Sequence, residues 1–145
     1  MKEKFIFFPL IFGCMSSLSF AADDTQILSC RSLERGVVYT AEIKIVGGKV
    51  DEYTYVSMNK RGNDCNLSAS RHDWDSEWSD EDNRTSHVVL YSDGKEVGKV
   101  LLVSTPPRYT IKLLTPLDRS MCAMGASIAT SVTLTQNVAR CDLEK

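Results

Sequence analysis

Residues 37–58 read VVYTAEIKIVGGKVDEYTYVSM. Val37, Tyr39, Ala41, Ile43 and Ile45 alternate with Val38, Thr40, Glu42, Lys44 and Val46. Successive side chains of a strand point to opposite faces, so this period of two predicts one buried face and one mostly wet face. Gly47-Gly48 turns the chain, and a second run, Val50 to Met58, returns rich in Tyr, Thr and Val. Two strands joined by Gly-Gly read as a hairpin.

The same period recurs further along. Ser86 to Tyr91 is one run, Ser92-Asp93-Gly94 is its turn, and Lys95 to Val103 is the return strand. Asp-Gly supplies the positive φ that a tight hairpin needs. Thr105-Pro106-Pro107 ends that strand, because proline cannot donate to a ladder. Tyr109, Ile111 and Leu113 begin another apolar face, and Ile128, Val132 and Leu134 repeat it opposite Ala129, Ser131, Thr133 and Thr135. A short strand over Leu28 to Ser32 and a last one over Val138 to Leu143 bring the expected total to about seven or eight. The expected fold is all-β and antiparallel, a small barrel or sandwich.

The N-terminus places this domain in a compartment. Lys2 and Lys4 precede an apolar stretch, Phe5 to Met15, which leads into Ser16, Ser17, Leu18, Ser19, Phe20, Ala21 and Ala22. A basic start, a short apolar middle and small residues at the cut make a secretory signal peptide over residues 1–21. The stretch is too short for a transmembrane helix, which takes about 20 residues. Ser19 and Ala21 stand at the −3 and −1 positions of a cut before Ala22. A rival route is lipidation at Cys14, behind Ile11, Phe12 and Gly13, although bulky Phe12 departs from a lipoprotein box. Residues 22–145 then form one domain, exported to a periplasm or secreted.

Either route leaves Cys30, Cys65, Cys122 and Cys141. An even count in an exported chain reads as two disulfides, since that compartment is oxidising. Near partners close the smaller loops, so Cys30–Cys65 and Cys122–Cys141 are the expected pairs, each contributing about 3 kcal/mol. A four-ligand zinc site would want a C-x-x-C pair, and none exists.

Removing Lys2, Lys4 and Glu3 from 17 basic and 19 acidic residues leaves 15 and 18, a net charge of −3. That balance is unhelpful for nucleic acid and offers no polybasic membrane anchor. A cationic protein partner fits better, because the acids are clustered.

The cluster lies in residues 71–84, RHDWDSEWSDEDNR. Asp73, Asp75, Glu77, Asp80, Glu81 and Asp82 surround Trp74 and Trp78, which are the chain's two tryptophans. One reading is structural: Ser70 and Asp73 have capping-box spacing, and Trp74 and Trp78, four apart, would share one face of a short helix sealing the domain. A calcium loop is a second reading. Its EF-hand form fails, because Trp78 replaces the required glycine and Arg84 the final glutamate. The third is recognition: tryptophan is enriched at interface hot spots and dense carboxylates steer a cationic partner. Trp74, Trp78, Asp73, Asp75, Glu77 and Asp80 are the expected partner-binding residues.

Chemistry is sparse elsewhere. His87 is expected to be a partly exposed strand residue, and His72 a solvated one. No G-x-S-x-G, H-E-x-x-H or phosphate loop occurs, so no catalytic, metal or cofactor residue is assigned. Asn66-Leu67-Ser68 and Asn83-Arg84-Thr85 match the glycosylation sequon by chance in a chain with a bacterial type of leader. The expectation is a non-enzymatic binding protein, of the inhibitor or immunity type, engaging a basic exported hydrolase. A barrel holding a lipid, sugar or metal is the alternative. In general design alone, small, β-rich and disulfide-bonded, the chain resembles periplasmic lysozyme inhibitors, and no residue role carries over from that likeness.

Overall fold

The computed structural model describes residues 24–74, 76–90, 96–117 and 120–144. The leader, Cys14, Asp75 and the Ser92-Asp93-Gly94 turn lie outside those residues. The described chain is all-β, with no helix and ten strands.

Strands β1 (Thr25–Glu34), β2 (Val37–Val46), β3 (Lys49–Asn59) and β4 (Asp64–Ser70) form one antiparallel sheet in chain order. Strands β5 (Ser76–Glu81), β6 (Arg84–Leu90), β7 (Glu96–Thr105), β8 (Arg108–Leu113), β9 (Ser131–Thr135) and β10 (Asp142–Glu144) form a second, again in chain order. Each strand therefore pairs with its neighbours in sequence, except that β4 and β5 part into different sheets. The sheets stay separate and do not close into a barrel.

The turns follow local chemistry. Gly47 and Gly48 take φ of 57° and 79°, and Arg35 and Gly36 take 49° and 81°. Paired positive φ values are the mark of the two-residue hairpins whose twist matches flanking strands. Pro106-Pro107, joined by a cis peptide, links β7 to β8.

Alternation fills the space between the sheets. Tyr39, Ala41, Ile43 and Ile45 of β2, and Val50, Tyr53 and Tyr55 of β3, are buried. They meet Val100 and Leu102 of β7, Tyr109 and Ile111 of β8, and Val132 and Leu134 of β9 in one core. Each large side chain fully buried there stabilises by roughly 2–3 kcal/mol relative to exposure. Three hydroxyls reach into the irregular C-terminal stretches: Tyr55 donates to the Ala129 carbonyl at 3.1 Å, Ser57 to Ser127 at 2.6 Å and Ser32 to Cys141 at 2.8 Å. These bonds satisfy carbonyls that no ladder serves.

Several expectations need correction. Two strands, β4 and β5, stand where the sequence analysis placed none. The last strand covers only Asp142–Glu144, since Gln136 to Arg140 form a turn and bend instead of a ladder. The disulfides join Cys30 to Cys141 and Cys65 to Cys122, not Cys30 to Cys65 and Cys122 to Cys141. The reason is topological. Cys30 lies on β1 and Cys65 on β4, the opposite edges of the first sheet, about 14 Å apart at three strand spacings. A disulfide needs Cα atoms within about 7 Å.

Each bridge instead fastens one edge of the first sheet to the C-terminal half, and backbone bonds accompany both. Arg31 N donates to Ala139 O at 2.8 Å beside Cys30; Asn66 N donates to Met121 O, and Ala123 N to Asp64 O, both at 2.8 Å, beside Cys65. The two bridges are those of an oxidising compartment.

Non-reducing peptide mapping is expected to return Cys30–Cys141 and Cys65–Cys122 as the linked fragments. Removing the first by Cys30→Ala/Cys141→Ala, which opens a loop with a sequence separation of 111, should cost about 4 kcal/mol in urea unfolding.

Candidate functional site

The described residues of 71–84 form no helix, against the reading of a short helix that seals the domain. Ser70 N donates to Asp73 Oδ2 at 2.7 Å, and Asp73 N donates back to Ser70 O at 3.1 Å. The capping-box spacing thus closes on itself as a turn. The chain then enters β5, because β6 presents a buried strip at a period of two. Trp78 pairs in register with His87, and Asp80 with Thr85, both of which are buried. Glu77 and Glu81, on the alternate face, stay in water.

Trp78 is half-buried and packs against the core. Its ring stacks on His87 with centroids 4.6 Å apart and 22° between planes, and meets Tyr53 edge-on at 5.9 Å. The Tyr53 hydroxyl and His87 Nδ1 share a hydrogen bond of 2.5 Å. Burial pushes the Tyr53 phenol well above its ordinary value, so this hydroxyl keeps its proton. His87 has no solvent exposure, which corrects the expectation of a partly exposed strand histidine. The fully enclosed ring follows from its place opposite Trp78, on the same inward face as Thr85.

Arg71 closes the outer side of this aromatic stack. Its guanidinium carbon lies 4.9 Å from the Trp78 ring centroid, a cation–π distance. Nη1 and Nη2 donate to Asp80 Oδ2 and Oδ1 at 3.0 and 2.5 Å, a bidentate fork, while Nε donates to Val50 O. Asp80 also accepts from Thr85 Oγ1 at 2.7 Å and pairs with Lys49 at 3.4 Å. The Arg71 hydrogen bonds, with help from Thr85 and Lys49, hold the Asp80 carboxyl down at about 2. Arg71 follows the first sheet and Asp80 belongs to the second, so this fork ties one to the other.

The six expected partner-binding residues therefore divide. Trp78 is half-buried against the core, and Asp80, at an exposed position, is engaged by Arg71, Thr85 and Lys49. Trp74 is 81 % exposed, and Asp73 and Glu77 are exposed beside it. Asp75 lies outside the described residues. Glu81 and Asp82 continue the acidic rim. His72 is exposed, with Nε2 3.5 Å from Asp51. Sequence reasoning missed Arg71, Tyr53 and His87 as the support of this rim. The one available signal was alternation through Ser76–Glu81, which the dense acids disguised.

No described group of three or more His, Cys, Asp or Glu could hold a metal ion. The described clefts are open at the surface. The largest, about 530 Å³, lies on the outer face of the first sheet against Ser29, Arg31, Thr40, Glu42 and Thr54. Another, about 250 Å³, lies beside the acidic rim and is lined by Lys49, Asp80, Asp82 and Pro106 among others. Comparison with protein-family models, curated proteins and solved structures returns no match to this chain.

The two tryptophans should separate cleanly in unfolding experiments. Trp78→Ala is expected to cost about 3 kcal/mol, and Trp74→Ala no more than about 0.5 kcal/mol. Asp80 gives a pH signature. Its folded pKa is depressed from 3.8 to about 2, so its contribution is complete above the unfolded value and is lost as pH falls through the folded one. With 26 % of the side chain exposed, solvent screening leaves about 1 kcal/mol. Asp80→Asn should be less stable than wild type by that amount at neutral pH, and the gap should close near pH 2.

Proposed function

We propose that this chain is an exported binding protein of the inhibitor or immunity type, which docks a basic exported hydrolase through its acidic, Trp74-bearing rim. The observation that carries the reading is the exposure of Trp74 on a turn braced from behind. The Ser70–Asp73 bonds close the turn, and Arg71 anchors it through Val50 and Asp80. A large aromatic ring held outward costs solvation, and it gives its contact area back when a partner covers it. Asp73, Glu77, Glu81 and Asp82 around it present negative charge that accelerates encounter with a cationic surface. The sequence expectation of a leader, together with two disulfides, supports a periplasmic or secreted setting. The small-ligand alternative asks for a roomy apolar cavity between sheets, whereas the side chains described there pack as one core.

The test is binding and inhibition against a panel of basic exported hydrolases, lysozyme among them, measured with wild type, Trp74→Ala and Glu77→Lys. Wild type should bind at least one member with a Kd of about micromolar or tighter, with an on-rate that falls as salt rises. Trp74→Ala should weaken that complex about 30-fold while leaving the fold unchanged. Glu77→Lys should slow association. A panel that is neither bound nor inhibited, or a complex indifferent to both changes, overturns the reading.

A further inference from the structure

We propose that the opposite end of the first sheet is a docking surface for an anionic lipid bilayer. Three segments meet there. The β1–β2 turn carries Arg35 and Gly36, the β3–β4 turn carries Lys60 and Arg61, and Met124-Gly125 comes from the connection between β8 and β9. They line one shallow cleft of about 350 Å³. The carbonyls of Met124 and Gly125 accept from Asn63 Nδ2 and Asn59 Nδ2, at 3.1 and 3.3 Å, so the Met124 loop is fastened to the β3–β4 turn.

Apolar groups project from this end. Met124 is 94 % exposed, Leu33 70 % and Met58 47 %. Register places Leu33, Val38 and Met58 in one row across β1, β2 and β3, on the face turned away from the core. Cations surround that row. Arg35, Lys60 and Arg61 are exposed at its turn end, and Arg31 stands one outward position back along β1. None of these four makes an ion pair among the described residues. Gly36 takes φ of 81° in the β1–β2 turn, and the flexible end of the Lys60 stem runs beside it, with Cε 2.7 Å from where a Cβ would stand. The carboxylates of this end, Glu34 and Asp64, are half-buried.

Exposed aliphatic side chains rimmed by cations match a headgroup layer above acyl chains. Each cation held near such a surface adds to the attraction, which decays within about a Debye length. A polynucleotide would be met with aromatic stacking rings; the exposed apolar groups here are Leu and Met. The cations are distant in sequence, at 31, 35, 60 and 61, and become one patch only when the hairpins fold. Strand length separates this end from the acidic rim by about 30 Å, so a bilayer could be held here while Trp74 faces away. The proposal is independent of the hydrolase reading.

Vesicle sedimentation tests it, with the exported protein and two probes: phosphatidylcholine alone, and phosphatidylcholine mixed with phosphatidylglycerol. Wild type should pellet with the anionic vesicles and remain in solution with the neutral ones. Arg35→Glu/Lys60→Glu/Arg61→Glu should lower the anionic partition at least about tenfold. Leu33→Ser/Met124→Ser, with all charges kept, should lower it several-fold, and the acidic-rim variant Glu77→Lys should not lower it. Circular dichroism confirms each fold. Equal pelleting with both vesicles, no pelleting, or an undiminished triple variant overturns the proposal. So does competition by inorganic phosphate alone, which would assign the cleft to a soluble anion. Self-association of wild type that the triple variant loses would overturn it in favour of a second copy.

Discussion

No ladder between the described strands crosses from one sheet to the other, and each ladder joins strands adjacent in the chain. Everything that makes the two sheets one body must therefore come from elsewhere. Beside the Tyr53–His87 bond and the hydrogen bonds to the C-terminal half, three features supply it. The shared core buries side chains from both sheets. The disulfides rivet β1 and β4, the two edges of the first sheet, to the C-terminal half. At the remaining corner the Arg71–Asp80 fork, laid over Trp78, spans from the end of the first sheet to the edge strand of the second. The corner without a disulfide is thus closed by a charge-assisted, bidentate pair.

This closure explains how a segment so rich in acids can be both structural and exposed. A carboxylate used for long-range attraction must be free in water, whereas Asp80 is surrounded by Arg71, Thr85 and Lys49. Its charge is neutralised where it sits. Glu77 and Glu81, on the alternate face of β5, keep theirs outward. The tryptophans divide likewise: Trp78 is packed against His87 and Tyr53, and Trp74 projects from the turn that Arg71 anchors. Alternation along β5 separates Trp78 from Glu77 and Glu81, and the turn before the strand sets Trp74 apart.

Much of the fold was legible as period two. The 37–58 hairpin stands as read, because Val, Ile and Tyr alternate with polar partners and Gly47-Gly48 admits only a tight turn. β4 escaped notice because Asn66, Ser68 and Ser70 have little strand propensity, and its inward residues, Cys65, Leu67 and Ala69, form a thin signal. β5 was hidden by a competing pattern: Ser70, Asp73 and the i, i+4 tryptophans also suit a helix. The buried strip of β6 decided between them, and that is a tertiary effect no local rule contains. His87 was illegible because it acts through Tyr53, 34 residues away, and Arg71 because its fork with Asp80 forms only once the segment between them becomes a turn and a strand. The disulfide pairing failed because loop length ignores that two cysteines can stand at opposite edges of one sheet.

That last separation has a consequence for biogenesis. A chain emerging N-terminus first delivers Cys30 and Cys65 long before Cys122 and Cys141. Two reactive thiols left together in an oxidising compartment would ordinarily trap each other. The first four strands form a meander from local hairpins alone, and once it forms, the width of β2 and β3 stands between the two thiols. In that sheet Cys30 and Cys65 cannot reach each other, so each sulfur is kept for a cysteine supplied later in the chain.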